Sequence, residues 1–280
     1  MATTLLDIEN HLSINLGENI PPSDAYEKKR RLSWINRGQK HMLGDFYWWF
    51  LRRKKGFVVE SRIFEVGREV RDIFRVFADP FIYTPEKDFE NFSFWIPRGF
   101  FKSFRFQEGQ ITLADNPPLF GIKSVNSLSS RGLIATCYAL DHGLRVTDFV
   151  YISGANQPQY LGDHEVISAD ANSFSFRINS PADEATGDIN FQRCNVVIDY
   201  FTKIPQLQNS TDVTPVPDEY ALALADYAEH KFMRTRGKRA SAADALEEYN
   251  GTLRDMKREH MRQMIFYKNT GNRVTHLCIR

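Results

Sequence analysis

Apolar residues recur along this chain with two different periods. From Thr3 to Leu16 they fall at Leu5, Ile8, Leu12 and Leu16, the three-and-four spacing of one helix face. Gly17 is a natural stop. Pro21, Pro22, Ser23 and Asp24 then form a break in which Ser23 or Asp24 can cap a second helix. That helix is expected from about Ala25 to Arg53, with Leu32, Ile35, Met42, Phe46, Trp49 and Phe50 at helical intervals. Its end carries an unbroken aromatic run, Phe46 to Phe50. On a helix such a run points in nearly every direction and is covered on several sides, by its own domain or by a neighbouring subunit.

Residues 57–120 lose the helical period. Thirteen of the 22 phenylalanines lie there, and Pro80, Pro85 and Pro97 exclude one long helix. Strands and irregular structure within a core or an interface are expected. From Leu133 to Tyr200 short β-rich runs alternate with turn signals. The runs are Phe149–Ile152, Val166–Ile167, Phe174–Ile178 and Val196–Ile198. The turn signals are His142-Gly143, Ser153-Gly154, Leu161-Gly162-Asp163 and the stretch from Asp183 to Asp188. That spacing predicts a small barrel or sandwich.

The helical period returns after a polar connector, Pro205 to Pro217. Ala221, Leu224, Ala225, Ala228 and Phe232 share one face of a helix starting near Pro217-Asp218. Gly237 breaks it from another helix, starting at Ser241, with the seam Ala242, Leu246, Tyr249, Leu253 and Met256. The residues after Tyr267 have no clear period and read as an extended arm. The predicted class is α+β. N-terminal helices occupy 1–56, a phenylalanine-rich region of the same core 57–127, an inserted all-β module 128–204, C-terminal helices 205–267 and an arm 268–280.

Composition narrows the function. A length of 280 residues, 42% apolar and 25% charged, suits about two globular domains and argues against disorder. The net charge of +1 gives no global sign of nucleic-acid binding. Cys137, Cys194 and Cys278 are odd in number and far apart, which fits packing thiols in a reducing compartment. The segment Met1 to Gly17 lacks the pattern of a signal peptide, and no apolar stretch approaches a membrane span. No phosphate-binding glycine loop, HExxH or GxSxG elbow occurs, so no enzyme and no cofactor is expected. His142 and His164, near Asp141, Asp148 and Asp163, read as turn chemistry in preference to metal ligands. Three basic clusters remain: Lys28, Lys29, Arg30 and Arg31; Arg52 and Arg53; and Arg234, Arg236, Lys238 and Arg239. Each reads as a solvated face, a partner contact or a contact to DNA phosphates.

Two motifs carry a resemblance. The run from His142-Gly143-Leu144 through Asp148-Phe149-Val150-Tyr151-Ile152-Ser153-Gly154, followed by Tyr160-Leu161-Gly162 and Asn172-Ser173-Phe174, resembles a small β domain of phage virion proteins. Leu161 stands where that pattern has asparagine, and Thr147 where it has glycine. The frame resembles the tailed-bacteriophage head–tail adaptor, or head-completion, family. It has an N-terminal helix pair with a tryptophan-rich end, and an ending of Pro217-Asp218-Glu219-Tyr220, a helix, a basic turn, and Ala245, Tyr249 and Leu253.

The resemblance implies a helical adaptor core assembling into a homo-oligomeric ring, a dodecamer, beneath the portal protein. A tail nozzle or tail tube protein would lie below it and packaged DNA in its channel. It implies a virion neck protein assembled in the host cytoplasm without membrane contact. It also implies an arm that docks on the portal, with Ile265, Phe266, Tyr267, Arg273, Leu277, Ile279 and Arg280 as its candidate contacts. Phe46, Trp48, Trp49 and Phe50 are the candidate subunit contacts. The alternatives are another tail component (a nozzle, a tail terminator or a carbohydrate-binding tail protein) and a virion cell-wall hydrolase with a carboxylate pair in a cleft.

Overall fold

A computed structural model describes residues 2–18, 24–44, 46–85 and 101–269. The chain forms two compact units: Met1–Arg52 with Lys203–Arg280, and Arg53–Thr202.

The first unit is helical. Helix α1, Leu5–Asn15, starts at Thr4, whose side chain accepts from the Asp7 N–H while Asp7 accepts from the Thr4 N–H. This reciprocal cap satisfies two backbone donors that no helical turn reaches. Leu5, Ile8 and Leu12 are buried, as their spacing predicts. Helix α2 runs Ala25–Gly44, and Asp24 accepts from the Glu27 N–H at its start. It stops well before Arg53. Residues 46–48 are non-helical, and Trp49–Leu51 form a single 3-10 turn.

After the connector come α3 (Asp218–Ala221), α4 (Ala223–Thr235) and α5 (Arg239–Asn269). Helix α4 buries Leu224, Ala225, Ala228 and Phe232. Helix α5 answers with Ala242, Ala245, Tyr249, Leu253 and Met256. It begins two residues before the expected Ser241 and continues to Asn269, so Ile265, Phe266 and Tyr267 belong to a helix. Gly38 lets α2 approach α4, since a Cβ there would sit 3.0 Å from the Tyr227 ring. The connector is pinned to α2. Asn36 exchanges hydrogen bonds with the Leu207 backbone (3.0 and 2.9 Å), and Gln39 donates to the Pro205 carbonyl at 2.7 Å.

The second unit holds two seven-stranded sheets. The first has the order β1-β14-β3-β4-β5-β6-β2. Its strands are β1 (Arg52–Phe57), β2 (Ile63–Glu65), β3 (Val70–Ala78), β4 (Phe81–Pro85), β5 (Phe101–Gln107), β6 (Gln110–Leu113) and β14 (Val196–Thr202). The second has the order β7-β13-β10-β11-β12-β9-β8. It comprises β7 (Ile122–Ser124), β8 (Ser127–Arg131), β9 (Ile134–Tyr138), β10 (Phe149–Ala155), β11 (Gly162–Ala169), β12 (Ser173–Arg177) and β13 (Gly187–Arg193).

The edge strands of each sheet are consecutive in sequence. In the second sheet β7 and β8 are halves of one bent run. At the bend Val125 donates to the Ile189 carbonyl (3.0 Å) and Asn126 to the Tyr138 carbonyl (2.8 Å). The run therefore pairs with both edges and the sheet curls closed on its own core of Val150, Ile152, Val166, Phe174, Phe176 and Phe191. The first sheet curls on a separate core that includes Ile73, Val76, Tyr83, Phe104, Ile111 and Ile198.

These boundaries differ from the expected ones. The phenylalanine-rich segment is not part of the helical core but builds most of the first sheet. The inserted module spans Ile122–Arg193, and Val196–Ile198 belongs to the first sheet instead. The chain passes from one sheet to the other at Cys194-Asn195. There the buried Asn195 donates to the Val59 carbonyl (2.6 Å) and accepts from its N–H (2.9 Å). Ser153-Gly154 is no turn. Gly154 sits inside β10 where the register with β13 shifts, and a Cβ there would lie 1.9 Å from the Asp188 carbonyl oxygen. The signal of a required glycine was real, but it marks a bulge.

Thr147 stands where the resembled pattern has glycine, and it carries φ +78°. A β-branched residue is strained in that region. Thr147→Gly is expected to raise stability by about 0.5–1 kcal/mol, the relieved strain exceeding glycine's added chain entropy. Denaturant midpoints would check this, and a lower midpoint would refute it.

Candidate functional site

The basic clusters separate into distinct environments. Lys28 and Lys29 are exposed on the first turns of α2. Arg30 lays its guanidinium 4.8 Å above the Trp34 ring and reaches Glu27 at 3.6 Å. Arg31 does not serve as surface charge: it is only 3% exposed. It donates to both carboxylate oxygens of Glu18 (2.9 and 2.8 Å), to Glu27 (3.4 Å) and to Ser13 (3.3 Å). A buried guanidinium requires such partners, and it ties α1 to α2. Arg52 and Arg53 begin strand β1.

The turn between α4 and α5, with Gly237 at φ +74°, exposes Arg234, Arg236, Lys238 and Arg239. Basic side chains there also suit the negative end of α4. The Arg236 guanidinium lies 4.2 Å over Phe232, and Arg31 reaches the same ring at 5.5 Å. Trp34 meets Phe232 edge-on, with centroids 6.4 Å apart. Phe232 thus joins two basic runs that are remote in sequence into one patch. Among the described residues, Lys28, Lys29, Arg234, Arg236, Lys238 and Arg239 make no ion pair; Glu18 and Glu27 pair with Arg30 and Arg31, and the half-buried Glu9 interacts electrostatically with Lys28 and Arg31.

The aromatic run also divides. Because the backbone of 46–48 is non-helical, its side chains alternate, with Trp48 turned inward and Tyr47 and Trp49 exposed. Trp48 is fully enclosed, its Nε1–H donating to the Met42 carbonyl at 3.1 Å. It packs between Phe46, Phe50 and His260. Trp48 is therefore a core residue of its own chain. Trp49, 51% exposed, remains available to a second subunit. Of the expected portal contacts, Arg273, Leu277, Ile279 and Arg280 lie outside the described residues.

The remaining titratable groups are structural. His142 accepts from the Leu144 N–H through Nδ1 (3.0 Å) and donates from Nε2 to the Ser173 carbonyl (3.1 Å). His164 donates to the Tyr160 carbonyl (2.8 Å), stacks on Phe176 and is held below its ordinary pKa by burial. Among the described residues no group of three or more His, Cys, Asp or Glu could hold a metal ion. Burial pushes the Cys137 and Cys194 thiols up to about 12, which leaves them inert packing groups. No described helix is long and apolar enough to cross a membrane.

Asp226 on α4 has a strongly perturbed carboxyl. Burial raises it to about 6; Glu248 and Glu229 add to the rise, while His11 and Asn15 oppose it.

No family model matches the chain, and no curated protein matches it. Ten chains of solved structures match, among them "Phage phi92 endosialidase". That match is 19% identical, with a TM-score of 0.23, and covers 31% of this chain and 13% of the other. A likeness this partial carries no argument about fold or activity.

Substitution separates core from surface in the aromatic run. Trp48→Ala is expected to cost about 3–5 kcal/mol of stability. Trp49→Ala should cost under about 1 kcal/mol while lowering any oligomer's mass. Denaturation and light scattering read the two effects separately. For Asp226, the folded chain holds the proton more tightly than the unfolded one, whose ordinary value is 3.8. The stability this contributes is complete below that value and is lost as pH rises through about 6. Asp226→Asn should therefore raise the Tm at neutral pH and change little near about pH 4. An equal gain at each pH would rule out charge as the cause.

Proposed function

We propose that this chain is a structural virion protein of a tailed bacteriophage, an adaptor forming a ring between the portal of the head and the tail and helping to retain packaged DNA. The observation that carries this reading is the helical unit. The two ends of the chain, α1 and α2 with α3, α4 and α5, form one compact body interrupted by a β insertion. That is the frame the adaptor resemblance implies. Exposed Trp49 and Tyr47 offer an anchor for a neighbouring subunit, and a ring needs two unlike faces per subunit. Helix α5 and the residues after it would reach the portal.

A second reading, another tail component such as a nozzle or a carbohydrate-binding protein, is favoured by the second sheet. Tyr138, Leu140 and Tyr151 are exposed there.

Native mass spectrometry of the protein alone and mixed with the portal ring of its own phage separates the two. The adaptor reading expects a near-integral number of copies added per portal, abolished when 265–280 are deleted. Binding to tail proteins or glycans without portal association would overturn it in favour of the second reading.

A further inference from the structure

We propose that the patch around Phe232 binds the phosphodiester backbone of double-helical nucleic acid. The inference rests on the patch and not on portal docking. The chain is nearly neutral, at +1, yet two basic runs are folded to one end of the helical unit. Among the described residues the one acid in an ion pair with a surface member is Glu27, at Arg30, and Glu27 is already shared with Arg31. The cations that form no ion pair among the described residues are Lys28, Lys29, Arg234, Arg236, Lys238 and Arg239; Glu9 acts on Lys28 electrostatically without pairing with it.

The aromatic rings beneath them decide the kind of partner. Trp34 is 7% and Phe232 5% exposed, so they lie beneath the guanidinium groups and are not themselves a surface. A protein partner would be expected to meet a desolvated apolar centre. Single-stranded nucleic acid would be expected to find a series of open rings for successive bases, whereas beside Arg30 the exposed ring is Tyr26 alone among the described residues of α2's first turns. Here the surface offers charge and forked N–H donors, which suit phosphate oxygens and carry no base sequence. Arg30 and Arg236, already held 4.8 Å over Trp34 and 4.2 Å over Phe232, lose little side-chain freedom on binding.

The test is fluorescence anisotropy of the full chain with a short duplex of random sequence across a salt series. Affinity should fall steeply with salt, with a log–log slope set by the number of phosphates neutralised. The triple variant Arg236→Gln, Lys238→Gln, Arg239→Gln should shallow that slope by about 3, and Lys28→Gln with Lys29→Gln by about 2, one for each cation removed. Arg131→Gln with Arg177→Gln, exposed on the second sheet, should change neither slope nor affinity. Wild-type binding by both patch variants overturns the proposal. So does equal competition by polyglutamate, which would assign the patch to an acidic protein. A preference for single strands that is abolished in Tyr26→Ala overturns it as well, since Tyr26 is exposed one turn before Arg30. A chain that mounts on portal rings but binds no duplex refutes this inference alone and leaves the adaptor reading standing.

Discussion

Strands β1 and β14 lie side by side in the first sheet, although almost all of the β unit separates them in sequence. That pairing lets the chain leave the helical unit and return to it through adjacent strands, so a body made from both chain ends can exist. Closing so long a loop costs entropy that grows only slowly with its length, and an ordered insertion with its own core covers that cost internally. The same device recurs one level down. β7 and β13 are antiparallel neighbours, and between them the chain builds the whole of the second sheet. Each level has its own core, so neither sheet depends on the other's packing for its apolar interior.

Charge in the helical unit follows from burial more than from sequence. Arg30 and Arg31 are adjacent, yet Arg31 is drawn into a four-bonded internal node and Arg30 stays at the surface over Trp34. The node takes up two acids, Glu18 and Glu27. Satisfying one buried cation thereby strips neutralising partners from the cations around it.

The helices were legible where one face is apolar and the other polar. Leu5, Ile8 and Leu12 on α1, Leu224, Ala225, Ala228 and Phe232 on α4, and Ala242, Tyr249, Leu253 and Met256 on α5 are buried as their spacing requires, whereas Leu246 is only half-buried and Ala245 is buried beside it. The end of α2 was not legible, because Phe46 to Phe50 supply apolar side chains at any period, and only the observed backbone shows the alternation that seats Trp48. Glycine positions were found but misread at Gly154, since positive φ and close approach serve bulges as well as turns. The first sheet was hidden: β14 is contributed from beyond the second sheet, and β4 pairs with β5 in parallel, an association no local pattern announces. The candidate site was half visible. Its basic runs stand out in the sequence, but Phe232, the ring that unites them, looks like one more member of a buried helix face.

The paired strands that bound each insertion have a consequence for how such a chain can diversify. Neighbouring strands in a sheet are about 4.8 Å apart, so excising the second sheet at β7 and β13 would leave ends that a tight loop could rejoin. The chain is in effect a set of sockets, each sized by one strand spacing. A lineage carrying it can exchange, enlarge or discard an inner cassette while the outer frame, and whatever grips that frame, stays unaltered.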